Sequence, residues 1–237
     1  MEVQILYDKE SINRKLYSGW GVSFLINGRI LFDTGENGRR LLHNMEKMDT
    51  DVEDIEIVVI SHDHWDHTGG LWDVLKIRKG LKVYICPDFS DGFKKNIKRL
   101  KGKIIEAEKV TEIDNDIFIT GEIAGEYKKC FIAEQALVAA TEKGLTIMTG
   151  CSHPGIVKIV EQVKKDFPDE KIYLVFGGFH LMDKSRNEIK LIAMELKNTG
   201  IEKAGPTHCS GYNAEVIFKE VFDNNFVSIK AGQVLEI

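Results

Sequence analysis

Residues 61–70 read SHDHWDHTGG, so three histidines and two aspartates fall between positions 62 and 67. A folded core has no need of such a concentration, and it limits what the neighbouring chain can be. The preceding IEIVVIS (55–61) is a near-continuous apolar run, the pattern of a strand buried on both faces. The following LWDVLKI (71–77) puts Leu71, Val74 and Leu75 on one helical face. The cluster therefore occupies a strand-to-helix turn, from which alternate side chains splay to one side. Imidazole and carboxylate suit borderline and hard divalent ions such as Zn²⁺, Mn²⁺ or Fe²⁺. The spacing is not HExxH, which excludes the helical zinc-protease arrangement. Four donors this close do not readily close one tetrahedral shell, but two ions can share them. His62 and His64 would serve one ion, Asp66 and His67 the other, and each needs ligands from elsewhere. Gly69 and Gly70 are expected to relieve crowding where the turn becomes helix.

Other polar punctuation falls in matching places. TGCSHPG (149–155), GGFHL (177–181) and PTHCSG (206–211) each put a histidine after a predicted strand, and strand ends are where ligands collect in α/β sheets. GVSFLINGRILFDTG (21–35) reads as a hairpin turning at Asn27-Gly28. Helices are expected over 36–48, 154–167 and 187–200, and strands over 82–86, 103–107, 116–120, 128–133, 135–141, 145–150 and 171–178. Strand–helix alternation around an antiparallel centre implies an α+β chain of two sheets packed face to face, with helices outside. With only four prolines and no Ser/Gly-rich linker, one domain over 1–237 is expected. The basic stretch 88–102 reads equally as a lid, with Phe89 and Phe93 towards substrate, or as a solvated helix.

The ordered motifs resemble the metallo-β-lactamase superfamily of metal-dependent hydrolases. HxHxDH matches at His62, His64, Asp66 and His67. FDTG (32–35) resembles the superfamily's first motif, which implies that Asp33 supports the metal loop from behind. PTHCSG resembles its last motif, implying His208 as a ligand of the second metal. The fold implied is a four-layer αββα sandwich of two mixed sheets. Between these motifs the chain departs from the pattern. No histidine lies between His67 and His153, and Thr149-Gly150-Cys151 stands where TGD is usual. His153 is therefore taken to complete the first metal's shell. Cys151 is either a thiolate ligand or a small buried residue. The run TGCSHPGIV…GGFHL…PTHCSG resembles the branch that includes dihydropterin-aminobenzene ribofuranosyl phosphate synthases.

The resemblance implies one or two divalent ions, zinc foremost with iron or manganese as alternatives, and hydrolysis by a metal-activated water. Asp66 would help orient that water. His180 would act as general acid or contact the substrate. Lys184, Ser185, Arg186 and the backbone after Pro154 are candidates to hold an anionic group, and a small phosphoester is the expected substrate. A synthase on the same fold is the main rival, and a metal-dependent sensor is a third class. The formal net charge of −5 argues against a nucleic-acid partner. A glutamate in place of His64 would mark a di-iron oxidoreductase, and it is absent. No apolar run approaches a membrane span, and MEVQILYDKES has no secretory pattern. A cytoplasmic enzyme with reduced thiols is expected.

Overall fold

The computed structural model describes residues 1–237, which form two compact units: 1–108 with 230–237, and 109–229. The first unit is a seven-stranded mixed sheet. Its strands are β1 (Glu2–Tyr7), β2 (Ser23–Ile26), β3 (Ile30–Phe32), β4 (Ile57–Val59), β5 (Lys82–Ile85) and β6 (Lys103–Glu106), and Val234–Glu236 pairs antiparallel with β1 at one edge. β2 and β3 form the expected hairpin. Asn27 and Gly28 both have positive φ (49° and 71°), and Arg29 N–H closes the turn on Ile26 O at 3.1 Å. From β3 to β6 every pairing is parallel. That explains why Ile57, Val58 and Val59 are all buried: a parallel strand carries helices on its faces and leaves none to water.

The helices of this unit are α1 (Gly38–Lys47), α2 (Trp65–Thr68), α3 (Leu71–Ile77) and α4 (Asp91–Arg99). Asn37 caps α1 by accepting Arg40 N–H. The basic stretch 88–102 is the crossover between β5 and β6 and not a lid. Its aromatic residues pack inside the unit, with Phe89 and Phe93 5.5 Å apart and Trp72 5.3 Å from Phe93.

The second unit holds a six-stranded mixed sheet in the order β14-β13-β12-β11-β8-β7. Its strands are β7 (Thr111–Asp114), β8 (Ile117–Ile119), β11 (Leu137–Thr141), β12 (Gly144–Thr149), β13 (Ile172–Gly178) and β14 (Lys203–Thr207). A separate hairpin, β9 (Ile123–Tyr127) and β10 (Cys130–Glu134), pairs only with itself. The helices are α5 (Ile156–Asp166), α6 (Arg186–Asn198) and α7 (Gly211–Phe222). α5 begins two residues later than the sequence suggests, because Gly155 at φ 96° cannot continue a helix backwards to Pro154. The core of this unit packs Val138, Ile147 and Val175 against Val160, Ala193 and Phe218. β12, β13 and β14 run parallel. Both units thus repeat one plan, an antiparallel half and a parallel half, and the fold is the α+β class of two mixed sheets. No helix is long and apolar enough to cross a membrane.

Candidate functional site

In both units the chemical residues leave the C-terminal ends of parallel strands: Asp33 after β3, Ser61 to His67 after β4, Cys151 to His153 after β12, His180 after β13, and His208 after β14. That is where an open α/β sheet offers a crevice.

In the first unit the four motif residues lie together. His62 and His67 are fully buried, with ring centroids 4.2 Å apart, and His64 lies edge-on to His62 at 4.7 Å. His67 Nε2 is 3.4 Å from Asp66 Oδ2. Behind them sits Asp33, fully buried at φ 54°. Its Oδ1 accepts Ser61 N–H at 2.7 Å, and its Oδ2 accepts the Ser61 hydroxyl at 2.7 Å and His67 Nδ1 at 2.6 Å. A carboxylate only accepts, so His67 carries a proton on Nδ1. The single hydroxyl proton of Ser61 goes to Asp33. Towards His62 Nδ1, 2.9 Å away, Ser61 can therefore only accept. One carboxylate thereby sets both rings in the same tautomer and directs Nε2 to coordination, the support that ligating histidines usually have. Burial pulls the His67 pKa down, but the Asp33 charge and hydrogen bond, aided by Asp66, outweigh it and push it to about 10.

The turn is held by close backbone approach. A Cβ on Gly69 would lie 2.1 Å from Glu36 O, and one on Gly70 would lie 2.3 Å from Thr34 O. Both glycines have helical φ (−59° and −78°), so they supply room for the neighbouring loop and not an unusual dihedral. Gly21 is stricter: its φ is 99°, and a Cβ would lie 1.8 Å from Asp66 O. Gly21→Ala is expected to cost at least the ~1–3 kcal/mol of such backbone strain, lowering the thermal midpoint of the metal-free protein by several degrees. An unchanged midpoint in a calorimetric scan would contradict this packing. Asp63 accepts Ser90 N–H at 3.2 Å. Trp65 is 62% exposed.

In the second unit, donor atoms of Cys151, His153 and His180 all lie within 4.8 Å of one another. Cys151 is buried and the two histidines are half-buried, with ring centroids 4.5 Å apart. His180 and His208 both have φ 51°. The paired glycines of GGFHL permit close strand ends, since a Cβ on Gly177 would lie 2.1 Å from Thr149 O and one on Gly178 2.2 Å from Gly150 O. Sequence reasoning missed three participants here: Glu134, Tyr127 and Cys209. Glu134 accepts the amides of Cys151, Ser152 and His153. Tyr127 lies edge-on to His153 at 5.2 Å. A hydrogen bond to Cys209 raises the His180 pKa; burial opposes it. Burial pushes the Cys209 thiol up, but Cys151 and the imidazoles of His208 and His180 outweigh it and hold it well below its usual value.

Beside His153 and His180 opens a cleft of about 690 Å³, lined by the first turn of α5, Lys158, Lys184 and several carboxylates. Of the expected anion contacts, Lys184 and the backbone after Pro154 line it. Ser185 is occupied in a reciprocal cap with Glu188, and Arg186 donates to Asn213.

Residues 28–124 match the model of the β-lactamase superfamily domain. A protein of Methanocaldococcus jannaschii named 7,8-dihydropterin-6-methyl-4-(β-D-ribofuranosyl)-aminobenzene-5′-phosphate synthase is 33% identical over 97% of this chain and 94% of its own length. The crystal structure of Tm1679, described as a metal-dependent hydrolase of the β-lactamase superfamily, is 30% identical with a TM-score of 0.84, covering 100% of this chain and 99% of that one. The metallo-β-lactamase-fold protein YhfI of Bacillus subtilis shares the fold at 17% identity and a TM-score of 0.71, over 99% of both chains.

Proposed function

The chain belongs to the β-lactamase superfamily, and from that premise we propose that it is a metal-dependent hydrolase of a small anionic substrate of the phosphoester class. The observation that carries this reading is the Asp33 network. A buried carboxylate that fixes two neighbouring imidazoles by their Nδ1 atoms has the chemistry of a metal site's outer shell. The donors fit a divalent ion of the zinc type: imidazole nitrogen and carboxylate oxygen, with a thiol available at Cys151. Iron and manganese suit the same nitrogen and oxygen donors. The proposed ligands are His62 and His64 with His153 for one ion, and Asp66 and His67 with His208 for a second.

When bound, a divalent ion supplies Lewis-acid charge and acidifies coordinated water. The chain's own part is orientation and proton transfer. Asp66 directs the attacking water by accepting a hydrogen bond from it. His180 donates a proton to the leaving group. Its Nδ1 is buried without a hydrogen-bond partner, and the hydrogen bond to Cys209 raises the ring's pKa against the opposing effect of burial. Lys184 and the first-turn N–H groups of α5 attract the anionic group.

A synthase acting on a ribofuranosyl phosphate compound is the second reading, favoured by the one-third identity to the protein of that name. Metal content per chain, with a phosphodiester, phosphomonoester and thioester panel on the same sample, separates the two. One or two ions and phosphoester turnover, lost in His64→Ala, are expected. A full metal complement without turnover on any ester would transfer the assignment to the synthase or to a metal-dependent sensor.

A further inference from the structure

We infer that Glu134 is a positioning residue that holds the Cys151–His153 loop in its ligand-presenting shape, and that the β9–β10 hairpin exists to deliver it. The inference rests on the reading of His153 as a metal ligand. Glu134 is the last residue of β10 and is 1% exposed. Its Oε1 accepts Cys151 N–H at 2.9 Å and Ser152 N–H at 2.7 Å, and its Oε2 accepts His153 N–H at 2.7 Å. Successive amides converging on one point form a nest that ordinarily receives an external anion. Here the chain fills the nest with its own carboxylate, and the left-handed Ser152 (φ 64°) is what turns the three amides the same way.

The same hairpin meets the loop twice more. A Cβ on Gly125 would lie 2.8 Å from Pro154 N and 2.9 Å from His153 C, so the β9 backbone lies against the loop. Tyr127 then sets its ring edge-on to His153. A buried ionised carboxylate is costly unless its oxygens are satisfied, and the three amides that donate to this one belong to the segment that carries Cys151 and His153. The first unit has the same device, with Asp33 behind His62 and His67. Each ligand loop is backed by one buried carboxylate.

The test uses the full chain with Co²⁺ as the probe, read by visible absorption and by competition with a chelator, in wild type, Glu134→Gln and His153→Ala. The amide in E134Q presents N–H groups to at least one backbone donor, so the loop must shift. Co²⁺ affinity is expected to fall about 10–100-fold, and the visible band to change shape, an effect that a role in stability alone would not produce. If His153→Ala weakens Co²⁺ binding while E134Q leaves affinity and band unchanged, the positioning role is wrong and the ligand reading stands. If His153→Ala itself changes neither, the ligand reading fails and the inference with it. Hydrogen exchange on metal-free wild type gives a second measurement that needs no variant. The amides of residues 151–153 are expected to exchange as slowly as those of β12, and rapid exchange would overturn the clamp. Should E134Q fail to fold, that measurement decides alone.

Discussion

Asp33→Ala is expected to destabilise the metal-free protein by about 3–5 kcal/mol, the range for removing one partner of a buried ion pair. Three donors converge on this carboxylate, all within 2.7 Å: Ser61 N–H, the Ser61 hydroxyl and His67 Nδ1. Truncation leaves the Ser61 amide and His67 Nδ1 buried without this acceptor, each at the cost of its desolvation, while the Ser61 hydroxyl can turn only to His62. The two imidazoles respond differently. His67 loses its only carboxylate contact at Nδ1, and the charge that keeps its ring protonated goes with it. His62 loses its tautomer, because the Ser61 hydroxyl, freed of Asp33, can donate to Nδ1 instead of accepting from it. Metal affinity should fall about 10–100-fold on top of the stability loss. Urea unfolding in excess chelator measures the first effect, and metal titration well below the denaturant midpoint measures the second. A stability loss with unchanged metal affinity would show that Asp33 holds the fold but does not orient the ligands.

What the sequence made visible was whatever local chemistry determines. The strand, turn and helix around 55–77 follow from apolar periodicity and from residues whose spacing has one sensible use. The Asn27-Gly28 hairpin follows from the need for two positive φ values. Longer-range dependence hid the rest. β1 pairs with a strand more than 200 residues later (Glu2 with Glu236), and no local pattern announces such a partner. β7 and β9 are short and half-polar, TEID and IAGEY, so they lack the alternation that marks a strand with one wet face. The stretch 88–102 reads equally as a lid or as a solvated helix, the lid because aromatic residues near a site, here Phe89 and Phe93, suggest a ligand. Trp72 gives them an internal partner, and that partner becomes visible only once β5, α4 and β6 are assembled. Glu134 is the instructive miss. In CFIAEQ a lone glutamate at a strand end looks like an exposed terminus, and its meaning lies in the three amides of a loop 17 to 19 residues away.

Metal affinity is expected to rise about tenfold per pH unit between roughly pH 6.5 and 8.5, and binding to release about one proton per chain, because a ligating imidazole must give up its proton. The sign follows from His67. Its pKa in the folded, metal-free protein is about 10 against 6.5 for the free side chain. A raised pKa means that protonated His67 stabilises the metal-free fold fully below about 6.5, and that this contribution drains away as pH climbs through about 10. Metal and proton compete for Nε2, so raising the pH strengthens binding while it weakens the metal-free fold. Titration calorimetry in buffers of different ionisation enthalpy counts the released proton directly. Asp33→Asn supplies the control. Without the Asp33 charge, burial opposes the imidazolium and only Asp66, 3.4 Å from Nε2, still favours it. The variant should then bind metal more weakly, yet release fewer protons on binding than the wild type at the same pH. A flat pH profile in the wild type would mean that His67 is already neutral before metal arrives. Asp33 would then act as a hydrogen-bond acceptor alone, and the buried ion pair that the 2.6 Å contact implies would not exist in the metal-free state.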